Sequence, residues 1–283
     1  MAVFGFREIA DADLKGFTFL SGWRKQPTQA TGAGIWFDLS MSPGNPRPNN
    51  YIGESGVFTP ISQSTGGGIP HGANVAPKTK YLRTFEAQSV SAAPLALHIL
   101  DYLGYYPFID ESVTEEQLMD NTIAVPRLPV LGAEIMPVVV AGHTGGQTFT
   151  VGYTNHEGVS GRVTPQHIMG TQTVNGTILT SGGAVNNSRA PFMALQAGDV
   201  GVRKVDSVIF EGVGDIGLVC FALVNPIAKH YIRETTAPAE RDYFTDDAAM
   251  PIIPDDAYLN LLALPSGNIS GAPIIGYIKT LWC

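Results

Sequence analysis

Charge is what this chain has least of. Asp, Glu, Lys and Arg make up 15% of its 283 residues, against about 25% in an average soluble domain. A monomer that covers itself with water-loving side chains needs more than that. The shortfall predicts a surface that ends up covered by partners, because charged residues are depleted at interface cores. Basic residues are fewer still: 17 Lys and Arg face 25 acidic residues, for a formal charge of −8. The only adjacent basic pairs are Arg24-Lys25 and Arg203-Lys204, so no cluster is present to neutralise phosphates, and nucleic acid is excluded as an expected partner.

Cysteine is almost missing. Cys220 and Cys283 are too few for a disulfide framework; Cys220 lies in the apolar run Leu218–Val224 and reads as a core residue. No window approaches 18 uninterrupted apolar residues, so no membrane-spanning helix and no membrane partner are expected. The opening MAVFGFREIADADLKGF carries acidic residues and no long apolar stretch, unlike a secretory signal, which leads to the expectation of synthesis in a cytoplasm.

What is present is turn chemistry and apolar bulk. Glycine (32) and proline (20) account for 52 of 283 residues, above the roughly 12% of an average chain, and they punctuate it at short intervals. Residues 126–283 read as β throughout, with segments rich in Val, Ile, Thr and aromatics at Pro137–Ala141, Gln147–Tyr153, Gly161–Thr164, Gln172–Thr180, Asp206–Glu211, Ile216–Val224, Tyr258–Leu264 and Ile274–Trp282. Asn155-His156-Glu157-Gly158 reads as a hairpin loop. Strands at this spacing without intervening helices predict a mainly β fold, an antiparallel β-sandwich or jelly-roll-like body. Residues 81–125 open with the strand-like Tyr81–Val90 and then predict a helix. Pro94 suits its first position, Leu95, His98, Ile99, Tyr102 and Leu103 share one apolar face, and Gly104 is a fitting C-cap. Thr114-Glu115-Glu116-Gln117 matches a capping box and predicts a second short helix.

Residues 1–80 show little periodicity beyond a helical turn at Asp11–Gly16 and a short strand at Gly34–Ser40. Aromatic and apolar residues nevertheless recur. They predict an extended N-terminal arm (1–80) ahead of a body (81–283) with a strand-helix segment at 81–125, a β body at 126–225 and C-terminal strands at 226–283. Long loops folded onto their own domain are the open alternative. Trp23, Trp36, Phe37, Tyr51 and Phe58 on the arm, with Tyr105 and Tyr106, are the candidate interaction residues. Deleting residues 1–60 is accordingly expected to leave a folded β body.

No chemistry-bearing motif survives its context. Gly212-Val213-Gly214-Asp215-Ile216-Gly217 matches a dinucleotide-binding G-x-G-x-x-G, but the following Leu218–Val224 reads as a strand where a helix is required, and a glycine-rich hairpin is expected instead. Asp11-Ala12-Asp13-Leu14-Lys15-Gly16 begins like a calcium loop, yet Lys15 occupies a ligand position and Gly22 the twelfth. The acidic pairs Asp246-Asp247 and Asp255-Asp256 read as solvated loop edges. The six histidines fall into no metal-ligand spacing, and His98 reads as a core histidine. The sequons at Asn175, Asn186 and Asn268 read as turns. No catalytic residue, cofactor or metal is expected, and the chain reads as a non-enzyme.

The segments GIWFDLSMSPGNPRPNNYIGE, GGGIPHGANV, TKYLRTFEAQS, LDYLGYYPFID and GGQTFTVGYTNHEGVSGRVTP, with the closing RETTAPAERD and LNLLALPSGNISGAPIIGYIKTLWC, resemble virion structural proteins of tailed bacteriophages. The resemblance implies a capsid decoration or cement protein on the capsid exterior, bound to the major capsid protein and to itself as a homotrimer. It leaves a tail, baseplate or receptor-binding component as the alternative. The chain lacks the long spine helix of a usual major capsid protein, so it is not expected to be the shell itself.

Overall fold

The computed structural model describes residues 5–91, 93–171, 174–181, 191–212, 216–247 and 249–283. The fold is mainly β and antiparallel. Its longer strands are β1 (Thr18–Lys25), β2 (Lys80–Ser89), β3 (Leu95–Asp110), β4 (Glu134–Ala141), β5 (Thr148–Asn155), β6 (Val202–Glu211), β7 (Leu218–Ile232), β8 (Ala239–Asp242), β9 (Leu259–Pro265) and β10 (Ile274–Trp282). Among the described residues two α-helices accompany them, α1 (Phe6–Leu14) and the single turn α2 (Tyr243–Asp246). In α1 the Glu8 carboxylate accepts the Gly5 N–H at 2.9 Å. Ile9 and Ala12 are buried, and Asp13 reaches Lys279 at 2.7 Å and Arg83 at 3.1 Å.

The strands form three sheets. The first has the order β8-β2-β10-β1, extended by Gly44–Asn45. The central sheet runs Phe37–Asp38, β9, β3, β7, β4, and the third runs Arg162–Val163, β5, β6, Gln117–Leu118. The central sheet carries core on both faces. One face is shared lengthwise between its neighbours. Leu97, Ile99, Leu259 and Leu261 pack with Trp23, Phe85, Ile278 and Leu281 of the first sheet. Leu103, Tyr106, Ile109, Val219 and Phe221 pack with Phe149, Val151, Val208 and Phe210 of the third. On the opposite face Leu100, Tyr102, Tyr105, Met136, Val138, Cys220 and Ala222 are covered by Trp36, Tyr51 and Ile61, which belong to the irregular chain before residue 80.

That double burial corrects the helix expected at 94–104. Leu95–Asp110 is a 16-residue strand, alternating in exposure at its start and buried without a break from Ile99 to Pro107. A strand buried on both sides reads as a continuous apolar run, and any such run contains residues at helical spacing. Gly104 is no C-cap. It lies mid-strand opposite Pro60, where an added Cβ would stand 2.3 Å from the Phe58 ring and 2.7 Å from the Thr59 carbonyl. The helix expected at Thr114 is also absent. The Gln117 amide instead donates to the Asp110 carbonyl at 2.8 Å, closing the loop that leaves β3, and Gln117–Leu118 joins β6.

The chain before residue 80 is no arm reaching away from the body. Its β1 pairs with β10 along all eight residues, from Thr18↔Leu281 to Lys25↔Ile274, and residues 36–61 cover the central sheet. The long loops fold onto their own domain because the second face of that sheet has no other cover.

Candidate interaction surface

The seven aromatic residues singled out for contact with partners all lie inside the protein. Trp23 packs against Phe85 with ring centroids 6.0 Å apart, and Trp36 stands edge-on to His98 at 4.9 Å. Phe37 is buried where Phe37–Asp38 pairs with β9. Tyr51 meets Tyr105 edge-on at 5.0 Å, and Phe58 meets Tyr106 at 5.1 Å. The Tyr105 hydroxyl donates to the Ile52 carbonyl at 2.9 Å and the Tyr106 hydroxyl to Asn121 Oδ1 at 2.7 Å. These side chains carry too much apolar area to remain outside once a sheet face is available to receive them. They are core, and not the contact surface.

Several polar groups buried with them are held in hydrogen-bond networks. Asp38 is fully enclosed and accepts the hydroxyls of Tyr51 (2.6 Å), Tyr102 (2.7 Å) and Ser40 (2.7 Å) and the Ser40 N–H (2.8 Å). Desolvation raises its carboxyl above the usual range while these donors oppose the shift. Lys25, also enclosed, donates to the carbonyls of Pro46 (3.0 Å), Ser40 (3.4 Å) and Ser42 (3.4 Å), and burial pushes its ammonium down to about 8. Arg127 ties Asp101 (3.0 Å) to the Ile61 carbonyl (3.1 Å). His71 Nε2–H donates to the Ala257 carbonyl at 2.9 Å, which leaves Nδ1 as acceptor for Lys80 Nζ at 3.0 Å. Contacts such as Tyr51–Asp38, Arg127–Asp101 and Lys80–His71 pin irregular chain onto strands, as a fold with so much irregular chain requires.

The other motifs take structural places too. His98 is half-buried on β3, and burial pushes its imidazole down to about 4. Asp255 is no idle loop edge. Its carboxylate accepts the N–H groups of Val75 (3.0 Å) and Ala76 (3.0 Å), which hold it below the usual carboxylate range against desolvation. Asp247 pairs with Arg241 at 2.8 Å. Asn155 Oδ1 accepts the N–H groups of Glu157 and Val159, making the expected hairpin turn before Arg162–Val163 pairs back on β5. Asn268 Oδ1 accepts the Ser270 N–H at 2.9 Å in a turn. The glycine loop after β6 leads into strand β7, which belongs to a different sheet, so it is a crossover and not a hairpin. Gly217 there is needed for close approach, since a Cβ would lie 2.7 Å from Glu111 Oε2 and 2.4 Å from His143 Cβ. Residues 213–215 of that motif, 172–173 of the strand expected at 172–180, and the sequon at Asn186 lie outside the described residues.

The exposed apolar side chains lead to a different surface. In the third sheet Phe149, Val151, Val208 and Phe210 face the core, so the register turns Thr148, Thr150, Gly152, Ser207, Ile209 and Glu211 outward. Pairing brings Leu118 beside Ser207, Ser207 beside Gly152, and Gly152 beside Val163, with Ile209 beside Thr150. Leu118 is 75% exposed, Val163 49% and Ile209 37%. At the margins Lys204 pairs with Asp206 at 2.8 Å, and Glu211 accepts a hydrogen bond from the Thr148 hydroxyl at 2.8 Å. The result is a face of threonine, glycine and exposed aliphatic groups around the buried Ser207, with no charged side chain at its centre. No single segment signals it, because each strand contributes at most three of its residues.

A cleft of about 480 Å³ lies by the turn after β7, lined by His230, Tyr231, Arg233, Glu240 and Arg241. Arg241 is engaged by Asp247 and His230 by the Ala239 carbonyl. Among the described residues no helix is long and apolar enough to cross a membrane.

No family model matches the chain, and no curated protein matches it. Among solved structures it is similar to the VP2 subviral particle of infectious bursal disease virus, at 8% identity over 93% of this chain and 80% of that one, with a TM-score of 0.17. A structure of the Gt strain of the same virus is similar at 9% identity over 94% and 81%, with a TM-score of 0.14. Likenesses this weak carry no argument for fold or function.

Proposed function

We propose that the chain is a non-enzymatic structural protein of a tailed-phage virion. It binds the outside of the capsid shell through the third sheet and cements neighbouring capsomers, associating with copies of itself. The open face built from Leu118, Ser207, Gly152, Val163, Thr150 and Ile209 carries this reading. It sets exposed aliphatic groups beside threonines and keeps charged side chains to its margins in a protein whose formal charge is −8, which fits the depletion of charge in an interface core. The similarity of its segments to tailed-phage virion proteins supplies the partner, the major capsid protein. The low charge fraction fits a molecule that ends up covered on a symmetric lattice.

The test is binding of the purified protein to capsid shells assembled without it. The double variant Leu118→Lys with Ile209→Lys places two cations on exposed positions of the face. It is expected to melt as the wild type does and to lose shell binding. Undiminished binding by this variant would overturn the assignment of the face, and binding of the wild type to isolated tails but not to shells would overturn the capsid reading.

A further inference from the structure

The fold protects one sheet edge and leaves another open. On the outer side of β4, Val139 N–H donates to the Thr177 carbonyl, Leu179 N–H to Pro137 and Met193 N–H to Ile135, all at 2.8–2.9 Å, so that edge is covered. On the outer side of β1 only Arg24 and Lys25 are paired, with Asn45 and Gly44. The register shows which backbone groups remain. Trp282 N–H donates to the Phe17 carbonyl at 3.0 Å, and Gln26 N–H points the other way, to Pro43 at 2.8 Å. Odd-numbered residues of β1 therefore bond to β10, while Thr18, Leu20 and Gly22 turn their N–H and C=O groups outward. Among the described residues no backbone group meets them.

The side chains around this edge are those an added strand would cover. Leu20 is 63% exposed and Phe19 38%. The Phe19 ring borders an open groove of about 700 Å³, lined also by Pro70, Gly72 and Ala73. Exposed edges are normally blunted by an inward charge, a proline or a bulge. The open stretch Thr18-Phe19-Leu20-Ser21-Gly22 has neither charge nor proline.

We infer that this edge is an interface, and that its occupant is the same edge of a second copy, paired antiparallel about a two-fold axis through Leu20. In that register Leu20 faces its own copy and Thr18 faces Gly22, so the outward donors and acceptors of each strand meet those of the other. The outer side of Arg24 and Lys25 is held by Asn45 and Gly44 of the same chain, so the pairing runs from Thr18 to Gly22, a stretch without charge. The strand contains no acidic residue, so the acidic charge that keeps copies apart elsewhere is missing here. The pairing joins the first sheets of two molecules into one continuous sheet and covers Leu20 on both. It goes beyond the shell contact of the third sheet and does not depend on it.

Sedimentation of the full-length protein over a range of concentrations tests this, with two variants. Leu20→Pro removes an outward N–H without touching the β10 ladder, a position where an edge strand tolerates proline. Leu20→Lys leaves the backbone intact and opposes two cations across the axis. The wild type is expected to double its mass reversibly, and both variants to weaken that association by about tenfold or more, because main-chain pairing and Leu20 burial are lost together. Should Leu20→Pro fail to fold, Leu20→Lys decides alone. A wild type whose mass is independent of concentration, or a folded Leu20→Lys protein that associates as the wild type does, overturns the inference. Shell binding retained by a Leu20→Lys protein that no longer self-associates would separate this contact from the capsid contact.

Discussion

The central sheet and the third sheet are built from the same residue types in the same antiparallel pattern, yet they face different surroundings. The central sheet is enclosed on both faces: β3 presents Leu97 and Leu103 to one side and Leu100 and Tyr102 to the other. The third sheet encloses one face and leaves threonines, Leu118, Val163 and Ile209 in water. The first arrangement spends its apolar area on holding the molecule together. The second leaves apolar area in water, which is why the proposed partner contact is assigned to it and not to the buried aromatic residues.

The sharpest way to break this difference is to uncover the second face of the central sheet. Deletion of residues 1–60 strips β1 from β10 along its whole length and takes Trp36 and Tyr51 off Tyr102, Tyr105 and Cys220. Two cores are opened at once. The truncated protein is expected to show no cooperative unfolding transition in a urea titration, and a truncated chain that still melts cooperatively would show the central sheet to be stable without its cover.

A smaller effect tests the buried polar networks that fasten that cover. The folded-state pKa of Lys25, about 8, lies below its ordinary 10.5. A lysine depressed on folding supports the native state fully above its unfolded pKa and loses that contribution as pH falls through the folded one. Relative to Lys25→Met, which cannot titrate, the wild type is expected to lose stability between pH 10 and pH 8, by about 3 kcal/mol at most. Urea midpoints of both proteins at the two pH values give the difference; equal changes would mean that the ammonium is solvated.

The same contrast governs what the sequence reveals. Strands with one wet face are legible, because alternation survives: Phe149, Val151 and Tyr153 mark β5, and Ile274–Trp282 is β10 over its full length. The central sheet is legible as apolar chain but not as strand. Leu95, His98, Ile99, Tyr102 and Leu103 belong to an unbroken buried run in which a period of 3.6 can be found by chance. The aromatic residues before residue 80 announce that something is covered, while what they cover depends on pairing such as Thr18 with Leu281, which no local pattern encodes. The open face of the third sheet is harder still. Leu118, Val163 and Ile209 are single exposed aliphatic residues in three separate segments, ordinary one by one, and only register sets them side by side.

The smallest expected effect sharpens the comparison from its other end. If the outer face of the third sheet serves a partner and not the fold, trimming it should cost the isolated protein almost nothing. Ile209 stands beside Thr150 and is 37% exposed, and Ile209→Thr exchanges its ethyl group for a hydroxyl on the open face while keeping a β-branched side chain suited to a strand. Its urea midpoint is expected to stay within about 0.5 kcal/mol of wild type, the range of surface substitutions away from packed features. Tyr102→Ala, from the enclosed sheet, should instead cost about 3–5 kcal/mol, the range for truncating a buried aromatic ring. A loss of comparable size at Ile209 would mean that the face is already packed against another part of the molecule, and the two sheets would no longer differ in the way that assigns one to stability and the other to contact.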